Sequence, residues 1–455
     1  MEFVKQVKEV RGLFGKLKRR DFSGNSGQAI KNSFYSTLLT IVNRIGSLIF
    51  ALFLARWLTP EIYGNYGIIL STVLLFEGFS SLGLGSALIK YTSSFLNKKN
   101  YSKANLYLNY IYRFKISLSL FISFLLIISA KFIAENYYHK PLFYGLVISS
   151  VYLFFLSVST FLDSLFQALN DFKFLVYKEF FFQSIRFLLI FILASFFAKN
   201  MLLLSFDNIF WIFILLGFSY FLTYILSIFI LKKNYSQVKL LNNIFLKKEE
   251  RKEVNLFILS ISIASLSGTL FAHVDTLMIG RFLFSEFVAY YNVAFTIVAS
   301  LSALITFSLV LFPIFSRLEG KRLEKGFSKS ARLTFCISLL LLIFCLIFSP
   351  FLLWIFGKEY LVATNLLRIF SLLMVSFPMI ALYSSYFVSR GKPAVVTKFL
   401  IISTIVNIVL NYILITSFLQ YSQMYATMGA VIATVISRYF YLAVLILERR
   451  KLLKG

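Results

Sequence analysis

The feature that most constrains this chain is a series of long apolar runs, each about the length that a helix needs to cross a bilayer. Short polar segments separate twelve such runs, which lie near 32–54, 62–88, 107–130, 142–163, 175–197, 207–231, 256–280, 287–313, 333–356, 360–388, 395–417 and 427–447. A transmembrane strand needs only about 10 residues of alternating polarity, whereas these runs are continuous. The sequence therefore predicts an all-α polytopic membrane protein with about twelve transmembrane helices.

Positive charge is distributed unevenly among the segments that join these runs. The chain has 46 Lys and Arg against 19 Asp and Glu, a balance that suggests nucleic-acid binding in a soluble protein. Here, alternate segments, beginning with the N-terminus, carry 33 of the basic residues, and the intervening segments carry 6. Because basic loops remain on the cytoplasmic side, we expect both termini in the cytoplasm, a location in the cell (plasma or inner) membrane and no nucleic-acid partner.

The segment before the first run, residues 1–31, is strongly basic. Apolar residues recur at helical spacing among lysines across 3–18. This pattern is typical of an amphipathic helix that lies on anionic lipids at the cytoplasmic face. A loosely ordered basic tail is the alternative interpretation.

The two halves of the chain share a pattern at a constant offset of 225 residues. Positions 56, 58, 61, 64 and 66 hold Arg, Leu, Glu, Gly and Tyr, and the later positions hold Arg281, Leu283, Glu286, Ala289 and Tyr291. A weaker echo relates residues 171–173 to 391–393. Six helices per repeat give both halves the same orientation, which is a parallel repeat. We therefore expect two six-helix lobes, 32–231 and 256–447, a basic cytoplasmic linker at 232–255 and a cytoplasmic tail at 448–455.

The residues that chemical catalysis usually requires are scarce. The chain has two cysteines and two histidines, too few for a zinc site of the usual kind. No segment between the runs exceeds about 31 residues, and no Gly-rich phosphate loop occurs. The sequence therefore predicts a protein that is not an enzyme, with no catalytic residue, metal or cofactor.

Several stretches of the chain resemble the polysaccharide, or oligosaccharide, flippase family. The stretch 56–67 reads RWLTPEIYGNYG and is similar to the signature of that family at helices 1 and 2. Further similar stretches follow in order at 274–283, 289–294, 311–317, 356–360, 407–414 and 428–434. The larger superfamily includes the lipid II flippase and the multidrug and toxic compound extrusion (MATE) antiporters. The resemblance therefore implies a MATE-like fold.

The resemblance also implies a function. It predicts movement of a polyprenyl-(pyro)phosphate-linked oligosaccharide from the cytoplasmic to the outer leaflet, for cell-surface polysaccharide or glycan assembly. Two alternatives remain: a MATE-like small-molecule or drug antiporter, which needs an acidic aromatic cavity, and a membrane-embedded glycosyltransferase or polymerase, which needs a sizeable outer loop.

Ionisable residues deep in the apolar runs are costly and are functional candidates. Arginine offers a planar fork that suits phosphate oxygens. We therefore interpret as candidate substrate-binding residues Arg44, Arg186, Arg56, Arg281, Arg368 and Arg438. Glu77 and Asp275 are candidates for coupling to H⁺ or Na⁺, or for organising the cavity. Near the cytoplasmic ends of their runs, we expect snorkelling of the side chains of Arg113, Lys115, Lys178 and Glu179.

The charge distribution makes a direct prediction about topology. Single cysteines at Lys247 and Lys325 should be protected from an impermeant thiol reagent in intact cells, and a cysteine at Ser422 should react. Labelling of either lysine position from outside would contradict the orientation.

Overall fold

A computed structural model describes residues 24–199, 207–240, 245–305 and 320–454. The predicted amphipathic segment at 3–18 lies outside these residues. The helices of the described ranges are α1 (Gly24–Trp57), α2 (Pro60–Ser81), α3 (Leu84–Asn97), α4 (Tyr101–Lys131), α5 (Phe143–Ala168), α6 (Phe172–Lys199), α7 (Asp207–Asn234), α8 (Lys248–Phe282), α9 (Ser285–Leu304), α10 (Gly320–Phe356), α11 (Thr364–Phe370), α12 (Leu373–Ser389), α13 (Pro393–Leu419) and α14 (Gln423–Lys454). A π-helical turn, Phe132–Tyr138, follows α4, and a 3₁₀ turn, Lys358–Ala363, precedes α11.

The described helices provide the predicted spans. Eleven of the spans are long and apolar enough to cross a membrane, and one bent pair completes a twelfth. We call α1–α7 the N-half and α8–α14 the C-half. The outer end is the end that the charge distribution places outside, where α1 meets α2 and α8 meets α9. The inner end is opposite.

Two predicted continuous helices are wrong in detail. The run at 360–388 is bent by 47° between α11 and α12, where the Ser371 hydroxyl donates to the Arg368 carbonyl at 2.6 Å and so offers that carbonyl a partner outside the regular helix. The run at 62–88 is broken between α2 and α3, and its span continues to Asn97. Helix α8 also begins at Lys248, and α14 continues to Lys454, so much of the predicted tail is helical.

The backbone at the corners follows the internal repeat. Thr59 precedes α2 with φ −65° and ψ 155°, and Phe284, 225 residues later, precedes α9 with φ −64° and ψ 154°. The corner between α5 and α6 has Asn170 at φ 59°, and the corner between α12 and α13 has Gly391 at φ 69°. The two halves therefore turn in the same way at corresponding places, as the parallel repeat predicts.

Helices α2 and α9 pack against each other between the two halves. The backbones approach so closely that a Cβ atom at Gly64 would lie 1.7 Å from the carbonyl oxygen of Ser285. The Ser285 hydroxyl also donates to the Asn65 side-chain oxygen at 2.6 Å. This contact brings the two halves together towards the outer end of the bundle.

Replacement of Gly64 by Ala should therefore destabilise the protein, because α2 and α9 must separate to admit the methyl group. Overpacking of this kind costs about 1–3 kcal/mol, which thermal unfolding in detergent can measure. The matched control is Gly268→Ala in α8, where the nearest heavy atom is 4.0 Å from the new Cβ. Equal melting temperatures for the two variants would contradict the close packing.

Candidate functional site

The first polar cluster lies in the N-half around Arg186 of α6. Its guanidinium group stacks on the ring of Phe50 in α1, with Cζ 4.0 Å from the ring centroid, and Nη2 donates to Gln183. Its Nε atom is buried and has no hydrogen-bond partner among the described residues. The hydroxyls of Tyr66 and Tyr152 lie within electrostatic range. Arg186 is therefore held in a defined orientation and retains an unused donor.

A hydrogen-bonded chain fixes the face of α6 that carries Arg186. Gln183 donates from Nε2 to Glu179 at 2.6 Å, and Asn43 of α1 donates to the same carboxylate at 3.0 Å. Gly46 permits this approach, since a Cβ there would lie 2.4 Å from Gln183. Glu179 therefore organises the cluster, in contrast to the predicted snorkelling.

The predicted snorkelling of Lys115 and Lys178 is also wrong. The Lys178 side chain is buried, forms an ion pair with Asp163 and donates to the carbonyl of Ser159 at 3.1 Å. Lys115 is only 1% exposed. Its Nζ donates to the carbonyl of Ser80 and to the hydroxyl of Ser81, both at 3.1 Å. Both lysines point into the protein because they find partners there.

The second polar cluster lies in the C-half around Asp275 of α8, which is 5% exposed. Its carboxylate accepts from Tyr291 of α9 at 2.7 Å and from Thr434 of α14 at 2.8 Å. Asn411 of α13 donates to the other carboxylate oxygen. Four helices thus meet at one buried carboxylate.

Several polar atoms beside Asp275 have no partner among the described residues. They are the side-chain oxygen of Asn411, both amide atoms of Asn407 and Nε of Arg438. Asn407 and Asn411 lie one turn apart on α13, and both are buried. Unpaired buried polar groups are costly, so this cluster is suited to a small polar ligand or an ion.

Arg438 of α14 lies next to this cluster. Its guanidinium group stacks on Phe271, with Cζ 3.4 Å from the ring centroid, and Nη2 donates to the Phe271 carbonyl at 2.7 Å. Arg438 is also within electrostatic range of Asp275. Like Arg186, it is oriented by an aromatic ring and retains a free Nε donor.

The two clusters occupy repeat-related positions. Phe50, Tyr66 and Arg186 in the N-half lie 225 residues before Asp275, Tyr291 and Asn411. The stacked pair of Phe50 and Arg186 therefore corresponds to the hydrogen-bonded pair of Asp275 and Asn411. One architectural position holds a cation in the N-half and a carboxylate in the C-half.

The other predicted arginines lie apart from the clusters. Arg44 of α1 is exposed and makes no hydrogen bond or ion pair within the described ranges, so the buried ion pair considered for it is absent there. Arg56, at the outer end, donates to the Ile355 carbonyl at 2.7 Å. Arg281 lies beside the ring of Tyr137, and Arg368 is exposed and bonded to Ser349.

Sequence reasoning missed Asn407, Asn411, Thr434 and Tyr291. The available signal was the pair of asparagines four residues apart in an apolar run, which places both amides on one helix face. The sequence alone does not show which distant helix that face meets.

Lys140 connects the halves at the outer end. It lies between the π-helical turn and α5, and its Nζ donates to the carbonyls of Gly280 and Leu283 at 2.7 and 2.8 Å. Burial and the neighbouring Arg281 lower the pKa of Lys140 to about 8. At neutral pH the ammonium group therefore keeps its charge beside the C-terminal carbonyls of α8, where a cation is favourable.

Comparison with known families identifies the chain. The family described as polysaccharide biosynthesis protein matches residues 29–319. The chain belongs to this family. The family described as MatE matches residues 260–413, within the C-half. No match was found among curated proteins.

Solved structures show that this polysaccharide biosynthesis family member has the MATE fold. An inward-facing multidrug resistance MATE transporter of the MOP superfamily has a TM-score of 0.69 at 12% identity, covering 92% of this chain and 99% of that one. An outward-facing structure of such a transporter has a TM-score of 0.62 at 15% identity, covering 93% and 95%. A Pyrococcus furiosus MOP transporter, described as having a binding pocket of reverse polarity, has a TM-score of 0.63 at 14% identity, covering 93% and 97%.

Proposed function

We propose that this protein is a flippase for a polyprenyl-(pyro)phosphate-linked oligosaccharide, which it moves from the cytoplasmic to the outer leaflet of the cell membrane. Both termini lie in the cytoplasm in this proposal. The two lobes, 32–231 and 256–447, rock about the contact of α2 with α9 to give alternating access. The observation that carries the proposal is the pair of oriented guanidinium groups, Arg186 and Arg438, each with a free buried Nε donor.

The headgroup is the physical obstacle to spontaneous flipping. Each sugar hydroxyl or phosphate oxygen that enters hydrocarbon without a partner costs several kcal/mol. Arginine donors can replace the lost water, and they act more strongly away from bulk solvent. One oriented arginine in each half offers the phosphates a partner on both sides of the transport path, while the polyprenyl tail remains in lipid.

The polarity of the candidate residues favours an anionic substrate over a cationic drug. Six arginines were singled out in or beside the spans, against the carboxylates Glu77 and Asp275. Glu179 is occupied by Asn43 and Gln183, so it is less available to bind a cation. The drug-antiporter alternative rests on the MATE fold alone, and that fold is also found in a transporter described by its reversed pocket polarity.

The cluster at Asp275 supports coupling to a monovalent cation. Its carboxylate and the side-chain oxygens of Asn407, Asn411 and Thr434 are hard oxygen donors, which suit Na⁺. Two of these oxygens have no partner among the described residues. Protonation of Asp275 is the corresponding event if H⁺ is the coupling ion. Glu77 serves instead to organise the N-half, because its carboxylate accepts from Ser81.

Transport in proteoliposomes tests the substrate. The probe is a fluorescent polyprenyl-pyrophosphate disaccharide, scored by chemical quenching of the outer leaflet, with ethidium as a cationic drug. Arg186→Ala and Arg438→Ala should each slow flipping about 10–100-fold, because a hydrogen bond to a charged group contributes about 1.5–3 kcal/mol. Arg186→Lys should retain part of the rate, since it keeps the charge and loses the fork.

The matched control is Arg332→Ala, because this arginine is exposed on α10. Wild-type flipping in both alanine variants would remove the arginines from substrate binding. Transport of ethidium with no movement of the glycolipid would instead establish the drug antiporter.

Thermal stability tests the ion site separately. Sodium chloride should raise the melting temperature of the wild-type protein relative to choline chloride, because a ligand that binds only the folded state stabilises it. Asp275→Asn and Asn407→Leu should abolish that difference, and the exposed control Asn365→Leu should keep it. If Na⁺ has no effect on the wild type, pH-dependent flipping that Asp275→Asn removes would assign H⁺. If neither ion has an effect, the coupling role of Asp275 is wrong.

A further inference from the structure

The second span is broken at Leu82 and Gly83, which both adopt left-handed backbone conformations with φ 40° and 71°. The last turn of α2 closes with the Leu82 amide on the Gly78 carbonyl, and α3 begins with the Ala87 amide on the Gly83 carbonyl. The end of a helix leaves its last carbonyls without partners in the helix itself. In the low-dielectric interior, these carbonyls need donors from elsewhere.

One donor to this joint comes from each half of the protein. Lys115 of α4, in the N-half, donates to the Ser80 carbonyl at 3.1 Å. Ser262 of α8, in the C-half, donates to the Leu82 carbonyl at 3.3 Å. Ile261 also packs against Gly83, where a Cβ would lie 2.5 Å from its Cγ2 atom. The joint is therefore a point at which the two halves meet.

The Lys115 ammonium group is matched to this position in two ways. It lies at the C-terminus of α2, where the helix dipole favours a cation. Its second acceptor, the Ser81 hydroxyl, donates in turn to the Glu77 carboxylate. A hydroxyl group thus connects a buried ammonium to a carboxylate, which supplies the compensation that a buried charge needs.

The joint is attached more firmly to the N-half than to the C-half. The Ser80 hydroxyl lies 2.5 Å from that of Ser157 in α5, and Ser157 lies 2.9 Å from Ser119 in α4. Together with Lys115, these groups connect the joint to two helices of the N-half. The C-half contributes the single neutral hydroxyl of Ser262, which is the weaker attachment.

We propose that Lys115 is a positioning residue for transport, which holds the α2–α3 joint on the N-half while α8 moves away during rocking. Glu77 is the counter-charge of Lys115 at this joint and does not carry the coupling ion. The transport role rests on the proposed flippase function. The assignment of the joint rests on the contacts alone.

The first test follows the joint without any substrate. In a background with Cys336→Ser and Cys345→Ser, Ile261→Cys reports separation of α8 from the joint by its labelling rate with N-ethylmaleimide in proteoliposomes. Lys115→Met and Glu77→Gln should each raise that rate about tenfold, because each strands the other charge, and the double variant should return to within about threefold of the parent. Lys115→Arg should label like the parent, and the exposed control Lys131→Met should too.

The second test uses the fluorescent polyprenyl-pyrophosphate disaccharide. Flipping should fall about tenfold in each single variant and recover in the double variant, with the Na⁺ and pH dependence of the wild type retained throughout. Loss of that dependence in Glu77→Gln would assign ion carriage to Glu77 and overturn the proposal. Additive losses in the double variant, in labelling or flipping, would also overturn it.

The outcomes separate the two proposals. If the wild-type protein moves no glycolipid, the flippase function fails, and the labelling series still decides the role of Lys115. If flipping is sound but all variants label at the parent rate, only the joint is wrong.

Discussion

The hydrocarbon core contains no water to satisfy polar groups, and this constraint shapes the protein wherever its helices are broken or charged. At the end of α2, the freed Ser80 carbonyl is bound by Lys115, and near the bend after α11, the Arg368 carbonyl is bound by Ser371. Lys178 is paired with Asp163. Polar atoms that lack such partners therefore stand out, and around Asp275 they lie together.

Much of the fold was predictable because the signals are periodic or summed over many residues. The twelve apolar runs and the alternation of basic segments each involve long stretches, so a few misplaced residues do not alter the conclusion. The repeat was predictable from the corner residues, since Thr59 and Phe284 share one backbone conformation. The broken spans were not predictable, because Leu82 gives no sequence signal for a left-handed conformation, and the compensating groups come from other helices.

The candidate site was predictable in its charges and not in its partners. Asp275 and Arg186 were identified by their depth in apolar runs, and both lie in polar clusters. Depth along a helix does not give the direction of a side chain, so Lys115 was wrongly expected to reach the interface. The partners of Asp275 on α13 and α14 are separated from it by more than a hundred residues. Only the packing of helices brings them together.

The repeat keeps its geometry in both halves while the chemistry at its centre changes sign. Arg186 stacks on Phe50 in the N-half, and the residues at the corresponding positions, Asn411 and Asp275, are hydrogen-bonded in the C-half. The first pair leaves a donor free, and the second leaves an acceptor free. A free donor on a cation suits an anion, and free oxygen atoms beside a carboxylate suit a cation. Two ligands of opposite charge can then act on equivalent levers, one in each half. A rocking motion that alters one helix contact must alter its counterpart, which is the physical requirement for coupling an ion to a charged headgroup.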